Sequence, residues 1–247
     1  MFLRKKYGIL GSIVLFTFIV EGCGLLGQPK SPQTRPSPVR SGAASKTLLN
    51  LFPQRVETRW TYRSPENYMQ TMRLRRRLLN VDQTRVTQDI IGEFGATVGD
   101  RFDRKGSFQL AYVFSGQEVR EKILRADPGF PHRIPDLILI RLPLSKGNKW
   151  TQQVNLAGKA ASLTAEITDI VRPRNGITRY TVRYRVPIDE AADKVYEETR
   201  HIQQGMGVTR FVNNSETTGG KQTTYEIVQL RLPSDPVIYD NPSKPRK

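Results

Sequence analysis

The sequence predicts a mainly β protein, built as an antiparallel sandwich or as a complete or half barrel. Apolar and polar residues alternate through most of the chain, as in residues 177–186, where β-branched and aromatic side chains dominate. Turn residues recur at short intervals, among them Asn175-Gly176, Gly205-Met206-Gly207 and Gly219-Gly220. About ten or eleven strands fit this spacing, which is typical of all-β domains.

Helix signals are few. The strongest is Ile188–Thr199, whose apolar residues fall on one helical stripe, although its second half also fits a strand. A short helical turn is expected near Lys46–Leu51. The stretch Ile188–Thr199 also carries an acidic cluster. We interpret this cluster as a solvated face, because the spacing of its acids does not match a calcium-binding loop. Its members are Asp189, Glu190, Asp193, Glu197 and Glu198.

A partial internal repeat runs through the body of the chain. Three prolines, each preceded by an apolar residue, stand 90 residues apart: Pro53, Pro143 and Pro233. Trp60 and Trp150, each followed by threonine, show the same offset. The pattern predicts two similar units, 53–142 and 143–232, within a β-rich domain at 47–233. Each would open with a tryptophan-bearing strand and close with an apolar strand stopped by a proline, which cannot donate a ladder hydrogen bond.

The N-terminus has the layout of a secretory signal peptide. A basic start is followed by an apolar run from Ile9 to Val20 and by Cys23, the one cysteine of the chain. The run is shorter than the roughly 20 residues that span a bilayer. Two alternatives are an uncleaved membrane anchor and ordinary secretion with a free thiol.

Residues 1–24 resemble the signal and lipobox of bacterial lipoproteins, on the residues Val20, Gly22 and Cys23. Glu21 departs from that pattern. The resemblance implies that residues 1–22 are removed and that Cys23 is acylated, as by palmitate. It also implies anchoring to the outer side of the cell membrane, or to an outer membrane where one exists. Residues 23–46 then form the lipidated cysteine and a disordered basic linker, and 234–247 form a disordered tail.

The chain is strongly basic, with a formal net charge of +16 that becomes +14 without residues 1–22. Such a charge predicts attraction to polyanions, which for an exported protein means anionic lipid, envelope polymer or an acidic envelope protein. Nucleic acid is not expected, because no nucleic-acid-binding motif is present. The densest basic cluster predicts a candidate anion-binding stripe on one face of a strand, or else a solvated outer face. It consists of Arg73, Arg75 and Arg77.

The sequence predicts no catalytic residue, metal site or cofactor. His132 and His201 lie far apart, and no zinc-ligand spacing, nucleophile elbow or phosphate-binding loop is present. Trp60 and Trp150 are candidates for a ligand-stacking surface, with core anchors as the alternative interpretation.

These observations predict a non-catalytic, lipid-anchored envelope protein that binds an apolar ligand or acyl chain between curved sheets. The alternatives are a polyanion-binding lipoprotein and an envelope hydrolase. The body also resembles uncharacterised exported lipoproteins, on Trp60-Thr61-Tyr62 and on Leu142-Pro143 with Trp150. That resemblance implies a class of protein and no activity.

Overall fold

The computed structural model describes residues 44–98, 101–156, 158–174, 176–189, 194–213 and 223–233. The predicted fold class is confirmed, because twelve antiparallel strands form one nearly closed, barrel-like sheet. Helix α1 spans Lys46–Leu49, where a helical turn was expected. The strands are β1 Arg59–Arg63, β2 Tyr68–Leu79, β3 Val86–Val98, β4 Arg101–Phe114, β5 Glu118–Ala126, β6 Asp136–Arg141, β7 Lys149–Leu156, β8 Lys159–Val171, β9 Arg179–Asp189, β10 Lys194–Gln203, β11 Gly207–Asn213 and β12 Thr223–Arg231.

The sheet consists of two six-stranded meanders, β1–β6 and β7–β12, which are joined where β1 pairs with β12. The first meander opens with the strand of Trp60 and ends before Pro143, and the second opens with the strand of Trp150 and ends before Pro233. The halves of the sheet thus follow the limits of the predicted units, while an internal duplication stays a prediction.

A seam between β6 and β7 is where the sheet does not close by a backbone ladder. The Gln152 amide bridges it, donating to the Asp136 carbonyl at 2.8 Å and accepting from the Ile138 N–H at 2.6 Å. Tyr184 donates its hydroxyl to the Leu139 carbonyl at 2.5 Å. Side chains therefore satisfy backbone groups of β6 that a neighbouring strand would otherwise pair.

One end of the sheet is plugged by α1 and the residues that follow it. Leu48 and Phe52 are buried, and the Phe52 ring packs against Tyr112 and Phe114 with centroids 4.9 and 5.4 Å apart. Gly207, at φ +79°, lies under this ring, and a Cβ there would approach Phe52 Cδ1 to 2.7 Å. The predicted turn at 205–207 is therefore the β10–β11 turn, and glycine is required for both its conformation and its packing.

The opposite end is filled by the connection between β5 and β6. Phe130 and Ile134 are buried, and the Phe130 ring stacks on Phe108 at 4.4 Å. His132 reaches the interior between them and stacks on Phe211 at 5.2 Å. With both ends filled, the core is continuous through the described part of the sheet.

The predicted helix at Ile188–Thr199 is wrong for the described residues, and the alternative of a strand in its second half is confirmed. Strand β9 runs to Asp189 and β10 begins at Lys194, and both belong to the sheet. Alternate residues of β10 from Tyr196 onward are buried, so period-two packing against neighbouring strands overrides the helical stripe. The predicted Gly219-Gly220 turn lies outside the described residues, as do residues 23–43 of the predicted linker and the tail at 234–247. Residues 44–46 of that linker are described, and Lys46 begins α1.

The described residues belong to one compact unit of the chain, Arg40–Lys247. The whole described core lies within that unit. Among the described residues, no helix is long and apolar enough to cross a bilayer.

Candidate functional site

A polar groove of about 650 Å³ lies on the outer face of the sheet, across β12, β1, β2, β3, β4 and β5. Its floor is built by residues directly opposite one another on adjacent strands, whose side chains point to the same face. Two cross-strand rows result. The arginine row is Arg231, Arg59, Arg73, Ile91, Gln109 and Arg125, and the polar row is Gln229, Thr61, Thr71, Glu93 and Ser107.

The arginine row places three cationic side chains side by side, because Arg59 pairs with both Arg231 and Arg73. Strands lie about 4.8 Å apart, and like charges directly opposite each other destabilise a sheet. Arg73 is neutralised by Glu57 at 3.0 Å. Arg59, Arg125 and Arg231 have no carboxylate within ion-pair distance among the residues described. Hydrogen bonds from Ser107 and the nearby charge of Arg125 lower the pKa of Asp127, so the uncompensated positive charge of the groove lies chiefly at Arg59 and Arg231.

The polar row supplies hydrogen-bonding groups that suit a polar ligand. Thr61 and Thr71 present hydroxyls, and Gln229 presents an amide, whereas Ser107 donates its hydroxyl to Asp127 at 2.9 Å. Glu93 is the acid in this row, and it pairs with Arg104 at 3.1 Å. The groove can therefore hold anionic groups by arginine and neutral polar groups by hydroxyls and amides.

Between the arginine row and the polar row, each strand that belongs to both rows contributes one residue that faces the core. These side chains lie on the inner face of the sheet, beneath the groove. They include Trp60 and Met72, which pair with each other, and Phe108 beyond Gly92. The Phe108 ring occupies the space where a Gly92 side chain would stand. The Trp60 indole donates to the Met206 carbonyl at 2.9 Å, which fixes the ring beneath the groove. A packed core thus supports the floor.

The three arginines of the predicted stripe do not share one face of the strand, while their role in anion binding stays a prediction. A β-bulge lies between Leu74 and Arg76, so Arg75 has no paired residue on β3. Arg73 pairs with Ile91 and Arg77 pairs with Gln88, which places Arg73 and Arg77 on opposite faces of the sheet. Of the three candidates, Arg73 lies in the groove, and Arg75 and Arg77 lie toward the β2–β3 turn.

Both tryptophans are core residues. Trp60 is 1% exposed and Trp150 is 4% exposed, and they belong to the same hydrophobic cluster. Trp60 contributes to the groove only from its core side, and ligand stacking on either ring stays a prediction. Cys23, the candidate lipidation site, lies outside the described residues.

A buried ionic cluster spans the interior and was missed by the sequence analysis. Arg200 donates to Glu121 at 2.9 Å and to Glu198 at 2.5 Å, and His132 Nδ1 lies 2.9 Å from Glu121. Tyr196 donates to Glu198 at 2.7 Å, and His132 Nε2 contacts the Tyr225 hydroxyl. Glu198 was predicted to be solvated, which is wrong, because it pairs with Arg200 in the core.

The electrostatics of this cluster follow from burial and pairing. Burial alone would raise the pKa of Glu121, but Arg200 and His132 outweigh it and hold that pKa well below its usual range. Burial raises the pKa of Tyr225 well above its ordinary value. Glu121, Glu198 and Arg200 are at most 1% exposed. A dissolved ligand cannot reach them, so the cluster has a structural role and joins the two meanders.

Among the described residues, no group of three or more His, Cys, Asp or Glu side chains could hold a metal ion. The groove is lined by no histidine or cysteine. Arginine is the main group of this lining that can recognise an anion.

No protein-family model and no curated protein matches the sequence. Two solved structures are similar. One is a presumed exported protein with a YmcC-like fold from Bacteroides fragilis, 13% identical with a TM-score of 0.45, covering 73% of this chain and 98% of that chain. The other is a presumed lipoprotein from Parabacteroides distasonis, 7% identical with a TM-score of 0.39, covering 77% of this chain and 100% of that chain.

Proposed function

We propose that this protein is a non-catalytic, lipid-anchored envelope lipoprotein that binds an extended anionic polymer in the groove. The observation that carries this proposal is the arginine row, in which Arg59 and Arg231 stand opposite each other without a carboxylate partner among the described residues. A bound anion would supply the missing negative charge.

The shape of the groove favours a linear polymer over a flat membrane surface. The arginine row crosses six strands, or about 24 Å at the usual strand spacing. The arginines of this row line the floor of the groove. A flat layer of lipid headgroups would therefore contact the edges of the groove before it reached these arginines. A chain-like ligand can follow the row and place successive anionic groups near Arg231, Arg59 and Arg125.

The interior offers less support for an apolar ligand or acyl chain, the function ranked first from the sequence. Aromatic rings and the ionic cluster of Glu121, Glu198 and Arg200 occupy the middle of the sheet. An acyl chain placed there would displace paired charges. The structure therefore favours the polyanion alternative.

The membrane anchor in this proposal rests on the sequence around Cys23. We expect labelled palmitate to be incorporated into the protein in cells and lost when Cys23 is replaced by serine. Equal labelling of the Cys23→Ser variant would show that this thiol is not the acylated group.

Binding of heparin and poly-L-glutamate by the Arg40–Lys247 unit tests the groove. We expect the affinity to fall as salt rises from about 50 to about 300 mM, because screening shortens the reach of the arginines. Arg59→Gln/Arg231→Gln should weaken binding about thirtyfold, since two charge-assisted contacts of about 1 kcal/mol each are lost.

The matched control is Arg172→Gln/Arg174→Gln, which removes the same charge from exposed positions outside the groove. It should change the affinity less than about threefold. Equal losses in the two variants would show that net charge, and not the groove, attracts the polymer. Binding that does not respond to salt would also contradict the proposal.

A further inference from the structure

Three exposed apolar side chains lie at the end of β2 and in the connection that follows it. Leu78, Leu79 and Val81 are 45%, 54% and 104% exposed. Leu78 and Leu79 point to opposite faces because they are consecutive in a strand, so the apolar group at the end of the hairpin is Leu79 and Val81. Single exposed apolar residues are ordinary, but two of them at the end of one hairpin form a candidate interaction site. Residues 78–85 are called the hairpin tip below.

The hairpin tip is held in shape by its own hydrogen bonds. Asn80 N–H donates to the Arg85 carbonyl at 3.1 Å, and Arg85 N–H donates to the Asn80 side chain at 2.7 Å. Asp82 accepts from the Thr84 N–H at 3.1 Å and from its hydroxyl at 2.7 Å. A loop that satisfies its own polar groups can enter a water-poor layer at lower cost.

Arginines flank the apolar side chains. Arg75, Arg77 and Arg85 are exposed and have no carboxylate within ion-pair distance among the residues described. Asp82 is the exposed acid of the tip. An apolar tip ringed by arginines complements a surface that is anionic outside and apolar inside, which is the chemistry of a bilayer with acidic lipids.

The hairpin tip lies at the end of the sheet where the described chain begins. Ser45 N–H donates to the Ser115 carbonyl at 3.2 Å, next to Phe114. Phe114 pairs with Val86, which in turn pairs with Leu79. The start of the body and the hairpin tip are therefore about two strand spacings apart, or about 10 Å. The described body therefore begins at the end of the sheet that carries the tip, and the proposed anchor at Cys23 precedes it in the chain.

We propose that the hairpin tip inserts into the headgroup layer of an anionic lipid bilayer, with Leu79 and Val81 in the acyl boundary and Arg75 and Arg85 on lipid phosphates. This contact is separate from the groove and would fix how the body sits on its membrane. The anchor strengthens the inference, while the charge and apolar pattern of the tip stand without it.

Vesicle sedimentation with the Arg40–Lys247 unit tests this contact, because that unit holds the described core and no cysteine. On vesicles of phosphatidylcholine with about 30% phosphatidylglycerol, we expect Leu79→Ser/Val81→Ser to lower partitioning at least about tenfold. Arg75→Gln/Arg85→Gln should lower it about thirtyfold. The control Val98→Ser/Leu124→Ser changes exposed valine and leucine residues away from the tip and should have less than about a twofold effect.

The emission of a polarity-sensitive fluorophore attached to Val81→Cys should shift to shorter wavelength when the protein binds these vesicles. The emission of the same fluorophore on Val98→Cys should not shift. The proposal is overturned if the wild-type unit does not bind them, if the tip variants bind as well as the wild type, or if the label at 81 stays in water. Arg59→Gln/Arg231→Gln must keep vesicle binding, since its loss there would assign the lipid phosphates to the groove. Equal melting temperatures confirm that the variants are folded.

Discussion

Replacement of Arg200 by methionine tests whether the buried ionic cluster holds the two meanders together. The change leaves Glu121 on β5 and Glu198 on β10 without their shared cation, and both carboxylates are fully buried. Breaking a buried pair in this way costs about 3–5 kcal/mol. A domain of this size loses about 2–4 °C of melting temperature per kcal/mol, so we expect a fall of roughly 6–20 °C.

The measurement is urea unfolding and calorimetry at neutral pH, with Arg185→Met as the matched control. Arg185 on β9 pairs with Glu197 on β10 at 3.3 Å at the exposed side of the sheet, and its loss should cost about 0–1 kcal/mol. The triple variant Glu121→Gln/Glu198→Gln/Arg200→Met should recover most of the stability, because no buried charge is left unpaired within it. Equal stability of Arg200→Met and Arg185→Met would refute the reasoning, as would a triple variant no better than the single one.

Two further predictions concern the interior and the seam. In the folded protein the pKa of Glu121 lies below its ordinary value of 4.5. The ionised Glu121 side chain therefore contributes its full stabilisation above about pH 4.5 and loses it as the pH falls toward the folded pKa. As the pH is lowered past about 4.5, the melting temperature of the wild type should therefore fall, and that of Glu121→Gln should fall less. Parallel curves of melting temperature against pH for the two proteins would contradict this. Gln152→Ala should cost about 1–3 kcal/mol and speed amide exchange at Ile138, whereas unchanged exchange there would show that the amide does not close the seam.

Local patterns in the sequence were sufficient to predict the fold class. The alternation through residues 179–186 and the glycines at 205 and 207 depend on neighbours in the chain, and both lie where the sequence predicts a strand and a turn. The stretch from 188 to 199 fits two periods at once. These are the helical period of 3.6 residues and the strand period of two. The pairing of β10 with β9 and β11 decides for the strand, and a single sequence does not reveal that pairing.

The sites depend on residues that are distant in the chain. Glu198 carries no local sign of burial, and its environment is completed by Glu121, which lies 79 residues before Arg200. Arg59 and Arg231 come together only through the register of β1 on β12. The sequence does show arginines at alternate positions of separate strands. Only the pairing of those strands shows that the arginines form one row across the sheet. The bulge at Arg75 likewise depends on how β2 meets β3.

The pairing of the first strand with the last has a consequence for how the molecule is made. Trp60 is paired with Leu230, 170 residues later, so this ladder forms only after nearly the whole body has been synthesised. Pairings of such long range close slowly. Until β12 arrives, β1 and β11 each present an open edge that another chain can join. A ribosomal product that stops before residue 223 is therefore expected to aggregate.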